Sequence, residues 1–160
     1  MGFDTEHLLR LLDESFGSNA WHGANLRGSL RGVTAAQASW RPAPGRHNIW
    51  EIVLHTAYWK YAVRRQLTGG RRSKFACSGS NWFGRPGKDA SSSWKRDVAL
   101  LQEENRLLRE TLATFPPDRL KTLSARKKWT LAELVSGVAF HDVYHAGQIQ
   151  LLKKLQKRTG

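Results

Sequence analysis

Four stretches of this chain repeat apolar residues every three or four positions, and that rhythm constrains its fold more than any other feature. Residues so spaced share one face of an α-helix, which must be buried against a neighbour. The first stretch runs from about Thr5 to Leu30, with Leu8, Leu12, Phe16, Asn19, Leu26 and Leu30 on its seam. Gly17, Gly23 and Gly28 interrupt it, each weakening a helix by about 1 kcal/mol relative to alanine. The second begins at Asn48, where Glu51 completes a capping-box pattern, and ends at Gly69-Gly70, with Ile52, His55, Trp59, Ala62 and Gln66 along its seam. The third starts near Ser93 and stops before Pro116-Pro117, carrying Trp94, Val98, Leu101, Asn105, Leu108, Leu112 and Phe115. The fourth opens at Thr130, with Glu133 three residues on, and runs to about Arg158; its seam reads Leu131, Leu134, Val138, His141, His145, Gln148, Leu152, Leu155.

The connections contain what helices avoid. Residues 31–47 hold "WRPAPGRH", whose two prolines no helix can run through, although Thr34 to Gln37 can cap one short turn. Residues 71–93 form a basic, Gly/Ser-rich loop containing "SGSNWFGRPG". With no strand signal, the pattern predicts an all-α four-helix bundle with a long loop between its second and third helices. No helix sustains its repeat much beyond three heptads, which disfavours an extended coiled coil. At 160 residues, positions 1–160 are expected to form one domain.

Composition narrows the setting. No stretch approaches the roughly 18 apolar residues of a membrane span, and Leu8 to Leu12 lacks the features of a signal peptide, so no membrane is expected as a partner. Cys77 is the only cysteine, which excludes an internal disulfide and fits a reducing, cytoplasmic setting. The 26 Lys+Arg against 13 Asp+Glu give +13, and between Ser15 and Lys88 the sole acid is Glu51. Arg64, Arg65, Arg71, Arg72, Lys74, Arg85 and Lys88 crowd that span and would attract phosphates, carboxylates or nucleic acid. A basic nucleic-acid-binding module, using a loop with Trp82 and Phe83, is one alternative; it would show affinity falling steeply with salt. The chain carries no known nucleic-acid motif, which makes that partner the weaker one.

The histidines carry the sharper signal. His141, His145 and Gln148 share the helix face of Leu134, Val138 and Leu152, where an unpaired polar group costs on the order of 1–3 kcal/mol. Residues i and i+4 stand one above the other on a helix, so His141 and His145 can converge on one ion at about 2.1 Å. His55, on the seam of another helix between Ile52 and Trp59, supplies a third donor. Three imidazoles without a fourth protein ligand leave a coordination position open, as in catalytic rather than structural sites. Such donors suit zinc, nickel, copper or ferrous iron alike. The bland reading is a non-catalytic bundle whose histidines make only core hydrogen bonds. His7 and His47 lie near helix starts and His22 in a glycine-interrupted region, with His22 a remote fourth-ligand candidate. Glu51 and Asp142 are candidates to orient ligands, although Glu51 is explained by capping and Asp142 points to another face; Gln148 and Asn105 can line the site or a polar core layer.

"ASWRPAPGRHNIWEIVLHTAYW" (38–59) and "HDVYHAGQIQLLKKL" (141–155) resemble the two signatures of the DinB-like superfamily of YfiT-type metal-dependent hydrolases and thiol-dependent transferases. The Trp-Arg-Pro before the second helix and the "NWFG" at 81–84 agree with it. The resemblance implies an up-down-down-up four-helix bundle, often a homodimer, with a divalent metal on His55, His141 and His145. It also implies a metal-assisted reaction on a small-molecule substrate, either hydrolysis or S-transfer using a low-molecular-weight thiol. Arg72 or Arg85 would then steer carboxylates of such a thiol.

Overall fold

The computed structural model describes residues 4–17, 20–70, 74–84 and 90–157. They form six α-helices and one 3₁₀ turn: α1 Thr5–Phe16, α2 Leu26–Ser29, α3 Ala35–Ser39, α4 Ile49–Leu67, α5 Ala90–Ala113, the turn Pro117–Lys121, and α6 Leu131–Gln156. Among the described residues there is no strand, only a single antiparallel bridge between Leu123 and Thr130. None of the helices is long and apolar enough to cross a membrane.

Side-chain caps set most helix starts. Asp4 caps α1 by accepting from the His7 amide, and Asn25 caps α2 by accepting from the Gly28 amide at 2.8 Å. Full capping boxes open α3 (Thr34 with Gln37), α4 (Asn48 with Glu51) and α6 (Thr130 with Glu133), each satisfying orphan amides at both of its positions. The single long helix expected over 5–30 is instead two, because α1 stops at Gly17 and Gly23 takes φ +99°, a conformation that L-residues rarely adopt. The helix expected from Ser93 begins at Ala90, and the last one ends at Gln156. Asn19, placed on the first seam, lies outside the described residues.

The apolar core divides in two. One cluster joins Phe16, Leu26, Ile49, Val53, Trp94, Leu101 and Ile149; the other joins Leu8, Leu12, Val63, Leu67, Leu108, Leu112, Leu131 and Val135. Along the sequence, α4 and α5 pass from the first cluster to the second, while α1 and α6 pass from the second to the first. Helix α4 packs against α5 and α6, and α1 packs against the same two.

Between the clusters runs a polar layer. It contains the fully buried Lys60–Asp142 ion pair linking α4 to α6, and the Arg64–Glu104 pair linking α4 to α5 at 2.9 Å. His145 is buried at the same level of α6, between Ala139 of one cluster and Ile149 of the other.

Candidate metal centre

The seam of α6 is not quite where apolar spacing puts it. The most buried stripe runs through Leu131, Val135, Val138, Asp142, His145, Ile149 and Leu152, which leaves His141 and Gln148 at its half-buried edge. On α4 likewise, Thr56, Lys60, Val63 and Leu67 face inward, whereas Trp59 is 36% exposed and Ala62 and Gln66 are half-buried. The rotation matters, because it sets His141 at the half-buried edge of the stripe, with the buried rings of His55 and His145 beside it.

There the three rings meet. His141 Nε2 lies 3.1 Å from His55 Nε2 and 3.0 Å from His145 Nε2. One ligand atom from each of His55, His141 and His145 falls within 4.8 Å of the others, making this a group that could hold a metal ion. Two of the three tautomers are fixed by their surroundings. His55 Nδ1–H donates to the Asn81 carbonyl at 2.8 Å, and His145 Nδ1–H donates to Gln148 Oε1 at 2.7 Å. In a neutral imidazole, a proton on Nδ1 leaves a lone pair on Nε2. Two lone pairs therefore point at His141 Nε2, whose ring has a buried Nδ1 without a hydrogen-bond partner. One imidazole proton can serve both acceptors only as a shared bond, whereas a cation at about 2.1 Å from each nitrogen satisfies all the lone pairs at once. The donor set is thus compatible with a divalent metal.

The electrostatics keep the rings neutral. Burial, reinforced by the other two histidines and by Lys60, pushes His141 down to about 3. Burial also takes His145 down to about 4, against the opposing hydrogen bond to Gln148, and it lowers His55 in the same way despite the Asn81 carbonyl. Neutral imidazoles are the form that binds metal.

Around this cluster the structure assigns roles to several residues named above. Gln148 orients His145 and in turn donates from Nε2 to the Tyr144 hydroxyl at 3.0 Å. Asp142 does turn away from His141, and its carboxylate meets the Lys60 ammonium in the interior while its second oxygen, Oδ1, has no hydrogen-bond partner. Glu51 does more than cap α4: Arg41 grips both its oxygens and His47 Nδ1 lies 3.0 Å from Oε2. Burial alone would raise the Glu51 carboxyl, but the hydrogen bonds from Arg41, His47 and Asn48 outweigh it and hold it low. Asn105 does not join the described contacts of the cluster; its buried Oδ1 has no hydrogen-bond partner. His22 packs its ring against Trp21 rather than the three histidines. Arg71, Arg72, Arg85 and Lys88 lie outside the described residues.

Sequence reasoning passed over His47. Its ring stacks on Trp82 with centroids 3.5 Å apart, and the opposite contact of Trp82 is with His55 at 3.9 Å, both nearly parallel. The loop is held in place by Phe83, buried against Tyr58 and Phe75. Trp59 and Tyr144 flank the cluster with exposed rings, at 6.4 Å from His141 and 5.0 Å from His145.

The described residues thus define an all-α protein in which three imidazoles from two helices form a cluster that could hold a metal ion. The sequence profile of the DinB superfamily matches residues 19–149, which include all three histidines, and the chain belongs to that superfamily. No curated protein and no solved structure matches it.

Proposed function

We propose that this protein is a divalent-metal-dependent enzyme whose metal ligands are His55, His141 and His145, and that it carries out S-transfer with a low-molecular-weight thiol or a related hydrolysis. The observation that carries the reading is the convergence of three Nε2 atoms, two of them bared by Nδ1–H bonds to Asn81 and Gln148. Membership of the DinB superfamily supports it. A bound divalent ion would supply Lewis acidity, lowering the pKa of a thiol or water at a position the protein leaves open. The chain does the rest. Asn81 and Gln148 fix the ring planes and tautomers, the Lys60–Asp142 pair ties the two ligand-bearing helices together, and the exposed rings of Trp59 and Tyr144 offer an apolar shelf beside the reacting atoms. Zinc, nickel and iron each accept imidazole ligands, and the donor set does not choose among them.

The same reading takes the scaffold as an up-down-down-up four-helix bundle forming one domain, supported by the opposite directions in which α1/α6 and α4/α5 traverse the two core clusters. It also takes the protein as a cytoplasmic homodimer, supported by the outward apolar side chains of Phe140, Tyr144 and Leu151 on α6. The test of the enzymatic reading is elemental analysis of untagged protein, followed by a screen of the metal-loaded form with electrophiles and each common low-molecular-weight thiol. Near-stoichiometric metal with metal-dependent thiol consumption is the expected result. Full metal occupancy with no reaction for any thiol, and no hydrolysis, would remove the enzyme and leave the site.

A further inference from the structure

We propose that His47 and Trp82 are positioning residues for the His55 ligand, so that the loop 74–84 and the segment before α4 act together as a clamp on the metal centre. The inference rests on the metal reading above. Three rings, from His47, Trp82 and His55, form one continuous stack, with interplanar angles of 5° and 6° at its two contacts. Both ends of the stack are tethered. At the outer end His47 Nδ1 meets Glu51 Oε2 at 3.0 Å, and Glu51 is gripped by Arg41 and by the Asn48 amide. At the inner end, His55 Nδ1–H donates to the carbonyl of Asn81, the residue next to Trp82.

A side chain on a helix can rotate its ring about χ2 at little cost, because that torsion is broad. His55 lacks that freedom: the Asn81 carbonyl fixes one direction in its plane, and the indole face fixes the plane itself. The indole also favours the metal-bound form over the free one. Coordination draws electron density out of imidazole and makes the ring more cationic, and an aromatic face attracts a cationic ring more than a neutral one. Trp82 is half-buried and cannot drift outward, because His47 covers its far side and Phe83 anchors the next residue in the core. The arrangement explains why Glu51 carries more partners than a helix cap requires.

The test is a competition titration of cobalt(II) into wild type and the variants Trp82→Ala, Trp82→Phe and His47→Ala, with the visible spectrum of the cobalt-loaded protein recorded alongside thermal melts. Residues that orient a ligand from outside typically change metal affinity about 10–100-fold. Trp82→Ala is expected to weaken cobalt binding about tenfold or more and to shift the ligand-field bands, and Trp82→Phe, which restores a stackable face, to recover most of the affinity. His47→Ala removes an exposed side chain and leaves the fold intact; it is expected to give a smaller loss of the same sign with a band shift. Unchanged affinity and spectrum in both His47→Ala and Trp82→Ala would overturn the clamp, even if melting temperatures fell. Failure of the wild type to take up cobalt would overturn the metal reading and the clamp together, whereas equal cobalt affinity in wild type, Trp82→Ala and His47→Ala overturns the clamp only.

Discussion

Replacing Lys60 by methionine should be among the most damaging single substitutions in the chain, and restoring stability should require a second change, Asp142→Leu. Both side chains of the pair are 0% exposed. Taking one partner away leaves Asp142, whose carboxyl burial already pushes up, either ionised without its counter-charge or forced to take up a proton, and breaking comparable pairs costs about 3–5 kcal/mol. At about 2–4 °C per kcal/mol for a chain of this size, Lys60→Met should lower the melting temperature by roughly 6–20 °C at pH 7. The double variant Lys60→Met/Asp142→Leu removes both charges. Its methionine fills the aliphatic path of the lysine and places a thioether near the Phe16 ring, over which the ammonium sits at 5.0 Å. The pair is already imperfect, since Asp142 Oδ1 has no hydrogen-bond partner, so the desolvation it suffers is not fully offset. The double variant should therefore melt within about 3 °C of wild type, a change of about 1 kcal/mol or less. Thermal melts followed by circular dichroism of metal-free protein decide the matter. A single variant that melts with wild type, or a double variant as damaged as the single, would refute the reasoning.

Acid should destabilise the metal-free protein. The three cluster histidines have lowered pKa values in the fold, down to about 3 for His141 and about 4 for His145, whereas unfolded histidine titrates near its ordinary 6.5. The unfolded chain binds protons first as pH falls, so stability present above about pH 6.5 is lost progressively down to about pH 4 for His145 and about pH 3 for His141, by at most about 1.4 kcal/mol per pH unit per ring and less where solvent screens. Melts at pH 7.5 and 5 check this, and a flatter profile in a variant with all three histidines replaced is expected. Thr130→Ala removes one half of the α6 capping box and should cost about 1 kcal/mol, read as a drop of about 2–4 °C. The proposed homodimer predicts that light scattering gives twice the chain mass for wild type and the single-chain mass for Phe140→Asp combined with Leu151→Glu, with the helical circular dichroism signal unaltered; a monomeric wild type would contradict it.

Local signals in the sequence carried a good part of this structure. Asn48 with Glu51, Thr130 with Glu133 and Thr34 with Gln37 each announce a helix start because a cap is satisfied within four residues, and the three capping boxes are present. His141 and His145 were legible for the same reason, since helical spacing alone sets them one turn apart, and the apolar neighbours of His55 placed it on a facing helix. What depends on distant partners was not legible. Lys60 reads as a solvent-facing lysine until Asp142 is brought to it across 82 residues of sequence. His47 reads as a residue before a helix, and only the folding of the loop 74–84 puts Trp82 between it and His55. The break between α1 and α2 was written in the glycines, but apolar residues at helical spacing on both sides hid it. The buried stripe of α6 is displaced from the apolar seam, with Val135, Asp142 and Ile149 buried in place of Leu134, His141 and Gln148, and two of the displaced positions are polar ones that apolar periodicity does not weigh.

The central claim, that His55, His141 and His145 hold one divalent ion, is tested most directly by titrating zinc into untagged, metal-stripped protein in competition with a chromophoric chelator, in parallel with His55→Ala, His141→Ala and His145→Ala. The account predicts one equivalent bound tightly by the wild type, affinity that holds through pH 6 and falls only as pH nears the lowered values of the cluster, about 4 for His145 and about 3 for His141, and loss of that site in every single variant. Undiminished zinc affinity in His141→Ala, the residue whose Nε2 touches both others, would contradict it.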